Sequence, residues 1–196
     1  MLRECVRQKI TEKPEEYQKK SYERLGKWHF EQQEYIPAYF AFAKAERWDN
    51  LLDVLERDKA KSLNTEHSQA FFAWLQACPE ALLRRHPLAI VVCMVKMFSF
   101  HNIPEIKHMK SLLQEALKQD TALTPQQRDD LLGDAELSLS FLCYNDISAM
   151  SAYHRRACAL LSRTSLSVDS KGSWTFSAPS VFMMYHREVG KADSEN

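Results

Sequence analysis

The stretch from Tyr22 to Leu55 constrains the rest of the chain more than any other. It runs Tyr22-x2-Leu25-Gly26-x2-His29 and then Ala38-x3-Phe42-x2-Ala45. Leu25 and His29 stand one turn apart on one helix, while Ala38, Phe42 and Ala45 make a stripe on the next. Gly26 and Ala38 are small, so two helix backbones can approach closely, with Phe42 filling the space beside them. Any helical hairpin carries small and large residues at such spacings by chance, so support is needed elsewhere in the chain. A hairpin of this kind cannot bury its apolar face alone. It needs neighbours stacked on it.

The spacing resembles that of a tetratricopeptide hairpin, with Tyr22 and His29 in place of the usual tryptophan and tyrosine. It departs from that repeat at Asn50, where a proline is expected. Sliding the frame along the chain places Met109, Leu113 and Ala116, and then Met150, His154 and Ala157, where Ala38, Phe42 and Ala45 stood. The steps between the alanines are 71 and 41 residues. Two degenerate units would fill the longer step, with periods of roughly 34 to 47 residues. The expected fold is all-α, with antiparallel helical hairpins stacked as a tetratricopeptide-like superhelix.

Composition agrees. Only four glycines among 196 residues, with abundant Leu, Ala, Glu, Lys and Gln, favour helix over sheet. Lys plus Arg equals Asp plus Glu at 26 each, so no overall field draws the chain to nucleic acid or an acidic membrane. The five cysteines (Cys5, Cys78, Cys93, Cys143, Cys158) are scattered and form no CxxC pair. They fit buried thiols in a reducing cytoplasm, and the expected localisation is cytoplasmic. The charged opening from Met1 to Thr11 is not a secretory signal. Leu88 to Phe100 is apolar apart from Lys96 and Ser99, yet shorter than the roughly 20 residues a bilayer span needs. Pro87 fits the first turn of a buried helix there.

Residues 1–13 read as the end of a preceding domain, with Leu2, Val6 and Ile10 on one helical stripe before the break at Thr11–Pro14. Residues 14–164 read as the helical-repeat domain. Pro14-Glu15-Glu16 starts its first helix, with a turn near Gln33 to Ile36 and a second helix near Trp48 to Arg57. A helix from about Glu66 to Gln76 turns Phe71, Phe72 and Leu75 inward, and Pro79 and Pro87 bracket a turn holding Leu82 and Leu83. Asn102 to Glu105 opens a helix with Ile106, Met109, Leu113, Ala116 and Leu117 on one face. Thr124-Pro125-Gln126-Gln127 is a capping box with a first-turn proline, starting a helix to about Tyr144. Another spans Ile147 to Ser162. Residues 165–196 read as a loop, an aromatic segment capping the last hairpin, and a polar tail.

Catalytic signatures are missing: there is no GxxxxGK[ST], no GxSxG, no HExxH and no spaced Cys/His set. An enzyme is not expected, nor a cofactor or a metal. His101 with His108, and His154 with Cys158, read as incidental pairs, and the acid pairs Glu15-Glu16 and Asp129-Asp130 as solvated charges in helix first turns. Two features could carry binding. The concave face of stacked hairpins would present Lys20, Glu23, Lys27 and Glu31, unless they are simply solvated. The segment Trp174 to Arg187, with Trp174, Phe176, Tyr185, His186 and Arg187, would serve as a ligand or partner surface, unless it is a hydrophobic cap.

A family resemblance joins these pieces. Arg24-Leu25-Gly26-Lys27-Trp28, leading to Ala38-x2-Ala41-x-Ala43-x-Ala45 and Arg47-Trp48-Asp49, resembles the helical segment after the nucleotide-binding and winged-helix parts of large LuxR-family, MalT-like bacterial transcriptional regulators. Met1 to Ile10 is similar to the closing helix of that winged-helix part. Pro79-x2-Leu82-Leu83-x3-Pro87-x-Ala89 is similar to the link into the family's superhelical sensor. Trp174 to Ser180, followed by Tyr185-His186-Arg187-Glu188, resembles a segment of bacterial members. The resemblance implies a sensing region that receives a small-molecule inducer or a partner protein. It would couple that event to ATPase and DNA-reading parts that this chain does not carry. The alternative is a free-standing tetratricopeptide-like scaffold that holds a protein or peptide.

Overall fold

A computed structural model of the chain describes residues 12–100, 102–143 and 146–166. Among the described residues the structure is all-helical, without strands. The helices are α1 (Glu15–Glu31), α2 (Tyr35–Lys44), α3 (Trp48–Asp58), α4 (Ser68–Ala77), α5 (Glu80–Leu83), α6 (Pro87–Ser99), α7 (Ile103–Gln119), α8 (Pro125–Ser140) and α9 (Ile147–Leu160). Single 3-10 turns occur at Thr65–His67 and Phe141–Cys143. The chain divides into two compact units, Met1–Ala89 and Ile90–Asn196, with the division falling inside α6.

In the first unit α1 packs on α2 and α2 on α3, each turning back after three intervening residues. Both turns end a helix with a non-glycine residue in the left-handed region, Gln33 at φ 60° and Glu46 at φ 54°. Glu34 N–H donates to His29 O while Gln33 N–H donates to Phe30 O, and Arg47 with Glu46 repeats the pattern on Phe42 and Ala43. These are Schellman closures, which satisfy the last carbonyls of each helix and fold the chain sharply back. With so few glycines, the chain makes them at a steric cost.

The α1–α2 contact is the expected one. A methyl group added at Gly26 would lie 2.7 Å from two carbons of the Phe42 ring. Ala38, Phe42 and Ala45 are buried, and each fully buried large side chain contributes about 1.5–3 kcal/mol. Leu25 breaks the expectation. It faces solvent, because the rotation that aims Gly26 and His29 at α2 carries position 25 round to the edge of the opposite face. Beyond α2, Tyr39 is fully buried, stacks on Trp74 of α4 with ring centroids 5.7 Å apart, and donates its hydroxyl to Asp58 at 3.1 Å. Asp58 closes α3, where a carboxylate meets the negative end of the helix dipole. The Ser62 N–H and hydroxyl donate to it at 3.1 and 2.8 Å and offset that clash. In α4, Phe71 and Trp74 are buried, while Phe72 and Leu75 are only half-buried.

α6 is the apolar helix anticipated from Pro87, with Ala89 to Met94 and Met97 buried. No described helix is long and apolar enough to cross a membrane. In the second unit, α7 buries Ile106, Met109, Leu112, Leu113, Ala116 and Leu117. α8 starts at the predicted capping box: Thr124 accepts from Gln127 N–H at 3.2 Å, and Gln127 accepts from Thr124 N–H at 2.9 Å. α8 and α9 form an antiparallel pair around Gly133, where an added methyl group would meet Leu161 at 2.7 Å and the Ala157 carbonyl at 3.2 Å.

The buried side of α8 is not apolar. It carries Asp130, Asp134, Ser138 and Ser140 beside Leu131, Ala135 and Leu139. The reading of Asp129 and Asp130 as solvated first-turn charges is therefore corrected: both lie beyond the first turn of α8, and Asp130 is buried. Its Oδ1 accepts from Ser162 N–H at 2.7 Å, and the Ser162 hydroxyl lies 3.0 Å from both oxygens. Asp134 is wholly buried; it accepts from Arg163 Nη2 at 2.7 Å and from Leu166 N–H at 2.9 Å. Glu15 and Glu16 are exposed as expected, each within reach of a lysine one turn on.

Candidate interaction face

α1 presents two apolar stripes, and among the described residues of the first unit one of them is packed and the other exposed. The inner stripe carries Tyr22, Gly26 and His29. His29 Nδ1 lies 2.6 Å from Glu34 Oε2 across the turn, which fixes the end of α1 against the start of α2. The outer stripe carries Tyr17, Leu25 and Trp28, which are 55%, 43% and 52% exposed. Spacings of eight and three residues bring these three onto one face of the helix. Single exposed apolar residues are ordinary. Three on one face, two of them large aromatics, form a patch of the kind that marks an interaction surface.

Lys20, Glu23, Lys27 and Glu31 flank this stripe on one side. The structure brings the first three into local pairs. Lys20 donates to Glu16 at 2.7 Å, Lys27 to Glu23 at 2.7 Å, and Arg47, the residue before α3, reaches the other Glu23 oxygen at 2.7 Å. The hydrogen bond from Lys27, and next that from Arg47, hold the Glu23 carboxyl below its usual range. Glu31 lies exposed at the end of α1. Exposed pairs of this kind are each worth about 0–1 kcal/mol, so they orient the surface rather than anchor the fold. A charged flank beside an apolar centre is the build of an interface, with a polar rim round an aromatic core.

Tyr17 and Trp28 were missed in the sequence because neither falls on a hairpin packing position. The available signal was the second periodic stripe on α1. Trp174, Phe176, Tyr185, His186 and Arg187 lie outside the described residues, as do Met1 to Ile10 and His101.

The remaining reactive side chains among the described residues are placed as follows. His154 Nε2 lies 3.0 Å from the Ser140 hydroxyl across the α8–α9 pair, and burial pushes the His154 imidazole below its usual range. Cys78 and Cys93 are buried as expected, but Cys143 is half-buried and Cys158, one turn on from His154, is exposed, which corrects the reading of it as a buried thiol. Burial, and second the charge of Asp49, push the Cys78 thiol up to about 11, which leaves it a poor nucleophile at neutral pH. Among the described residues no three His, Cys, Asp or Glu side chains converge to hold a metal ion.

No protein-family model, no curated protein and no solved structure matches this chain.

Proposed function

We propose that this chain is a regulatory binding module, the helical sensor region of a LuxR-family, MalT-like transcriptional regulator. An inducer or partner protein is taken up on the outer face of α1 and coupled to ATPase and DNA-reading parts outside this chain. The observation that carries the reading is the Tyr17–Leu25–Trp28 stripe, which lies on a helix whose opposite side is locked at Gly26. A face held so firmly from behind is preorganised, and binding there loses little to ordering. Within this proposal the hairpins stack as a tetratricopeptide-like superhelix, and the bound ligand favours one packing of that superhelix by population shift.

A thermal-shift screen with oligosaccharides and short peptides, run on the wild type and on Trp28→Ala, tests the binding role. Trp28 is half exposed and its ring meets His29 edge-on, so each protein's ligand shift is read against its own unliganded midpoint. The expected result is a ligand that stabilises the wild type and not the variant. A screen without any such ligand, or one whose hits bind both proteins equally, refutes the α1 face as the receptor. The regulator identity is tested separately by the parent gene, whose reading frame is expected to encode a Walker motif upstream and a helix-turn-helix downstream.

A further inference from the structure

His86 closes the short turn after α5 and aims its ring back at α3. Nδ1 lies 3.3 Å from Glu56 Oε1 and 4.0 Å from Asp53 Oδ1, and Nε2 lies 3.5 Å from Asp49 Oδ1. Positions 49, 53 and 56 follow one another at spacings of four and three, so three carboxylates on one face of α3 converge on a half-buried imidazole. The other charges at this turn are already engaged. Arg85 Nη2 donates to Asp49 Oδ1 at 2.7 Å, and Arg84 pairs with Glu80 of α5 at 2.9 Å. Cys78 remains a thiol at neutral pH and adds no charge.

A neutral imidazole has one N–H and one lone pair, so it can serve one carboxylate and turns an acceptor toward another. A protonated ring donates from both nitrogens. We propose that His86 is a proton-operated latch: when charged it ties the Arg84–His86 turn to α3 through Glu56 and Asp49, and when neutral it lets one of those ties go. The turn leads directly into Pro87, the first residue of α6, so the latch holds or frees the start of the apolar helix.

The electrostatics run in the same direction. The hydrogen bond to Glu56 raises the His86 imidazole above its usual range against the opposing effect of burial, and the charges of Glu56 and Asp53 add to the rise. Asp53 is itself raised, chiefly by burial, while His86 pulls it down. Folded His86 therefore holds its proton more tightly than the unfolded chain does. The latch stabilises the first unit fully below the imidazole pKa of the unfolded chain. That stabilisation is lost as pH rises through the higher folded value. This window lies close to neutrality, where an imidazole is the natural sensor.

The test is an NMR titration of the full chain between about pH 5.5 and 8.5, with the His86 resonance identified by its absence from His86→Gln. His86 is expected to titrate above the ordinary imidazole range, and Glu56→Gln, which keeps the side-chain shape, is expected to move it down. Amide exchange at Arg84–His86 is expected to quicken through that transition, over and above the pH course of the same amides in His86→Gln. Titration at or below the ordinary range overturns the proposal, as does indifference to Glu56→Gln. Should His86→Gln fail to fold, the imidazole signal that titrates above the ordinary range and moves down in Glu56→Gln identifies His86, and the absence of any such signal overturns the proposal.

Discussion

The α1–α2 and α8–α9 pairs solve one packing problem by different chemistry. Each is an antiparallel pair closed at a glycine, Gly26 in one and Gly133 in the other. Around Gly26 the partner is an aromatic ring, and the ties between helices are solvent-facing pairs such as Lys19 with Glu46 at 2.7 Å. Around Gly133 the partners are a half-exposed leucine and a backbone carbonyl, and the ties are acids set into the buried side of α8. Glu136 alone bridges Lys110 of α7 at 2.8 Å and Arg156 of α9 at 2.7 Å. The first pair is therefore held by shape, and the last by shape together with directed polar bonds. A pair held by shape responds most to changes of volume. One held by buried carboxylates responds to the loss of a hydrogen-bond partner and to acid.

The most damaging change expected is Phe42→Ala, which empties the space between α1 and α2. It should cost about 3–5 kcal/mol in denaturant unfolding, with no comparable single residue in α9. Gly26→Ala and Gly133→Ala sharpen the contrast further. The Phe42 ring is fully buried and cannot move aside, so Gly26→Ala should destabilise by about 1–3 kcal/mol. Leu161 is half-exposed and can yield, while the Ala157 carbonyl at 3.2 Å cannot. The preference for alanine in a helix, about 1 kcal/mol, is thereby offset, and Gly133→Ala should cost less than Gly26→Ala. Equal losses at the two glycines would break the comparison.

Asp134→Asn should cost about 1–3 kcal/mol by weakening the bonds from Arg163 and Leu166. Acid probes the neighbouring contact of Asp130 with Ser162. The Ser162 N–H, more than any other group, holds the Asp130 carboxyl below its usual range. Its contribution is present above the unfolded carboxylate pKa and is lost as pH falls through the lower folded value. The protection of the Ser162 amide, measured against the intrinsic exchange rate at each pH, should therefore fall in acid, and no longer do so in Asp130→Asn. A small gain is expected at the first turn: Gln33→Gly should stabilise the first unit by about 0.5–1 kcal/mol, since glycine takes the left-handed conformation without strain.

These same features mark how far the amino-acid sequence could be read. Thr124 with Gln127, and Pro87 at the head of α6, are local signals whose partners lie within one turn, and both helices start where those residues indicate. The α1–α2 contact was legible because small-against-large spacing is a property of two adjacent helices. The ends of α1 and α2 were less so, since Gln33 and Glu46 do the work usually given to glycine. Asp130 and Asp134 were opaque for another reason. Their partners lie about thirty residues downstream, beyond the reach of any local pattern. On α1, the hairpin pattern drew Leu25 inward and left Tyr17 and Trp28 unnoticed, although a second apolar period was present throughout.

The Asp134 clip also has a mechanical side. Arg163 and the Leu166 amide are both fastened to one wholly buried carboxylate in the middle of α8. Any tension applied to the chain beyond Leu166 is delivered there, and the end of α9 is spared from unravelling. Whatever pulls on that tail pulls on the centre of a neighbouring helix.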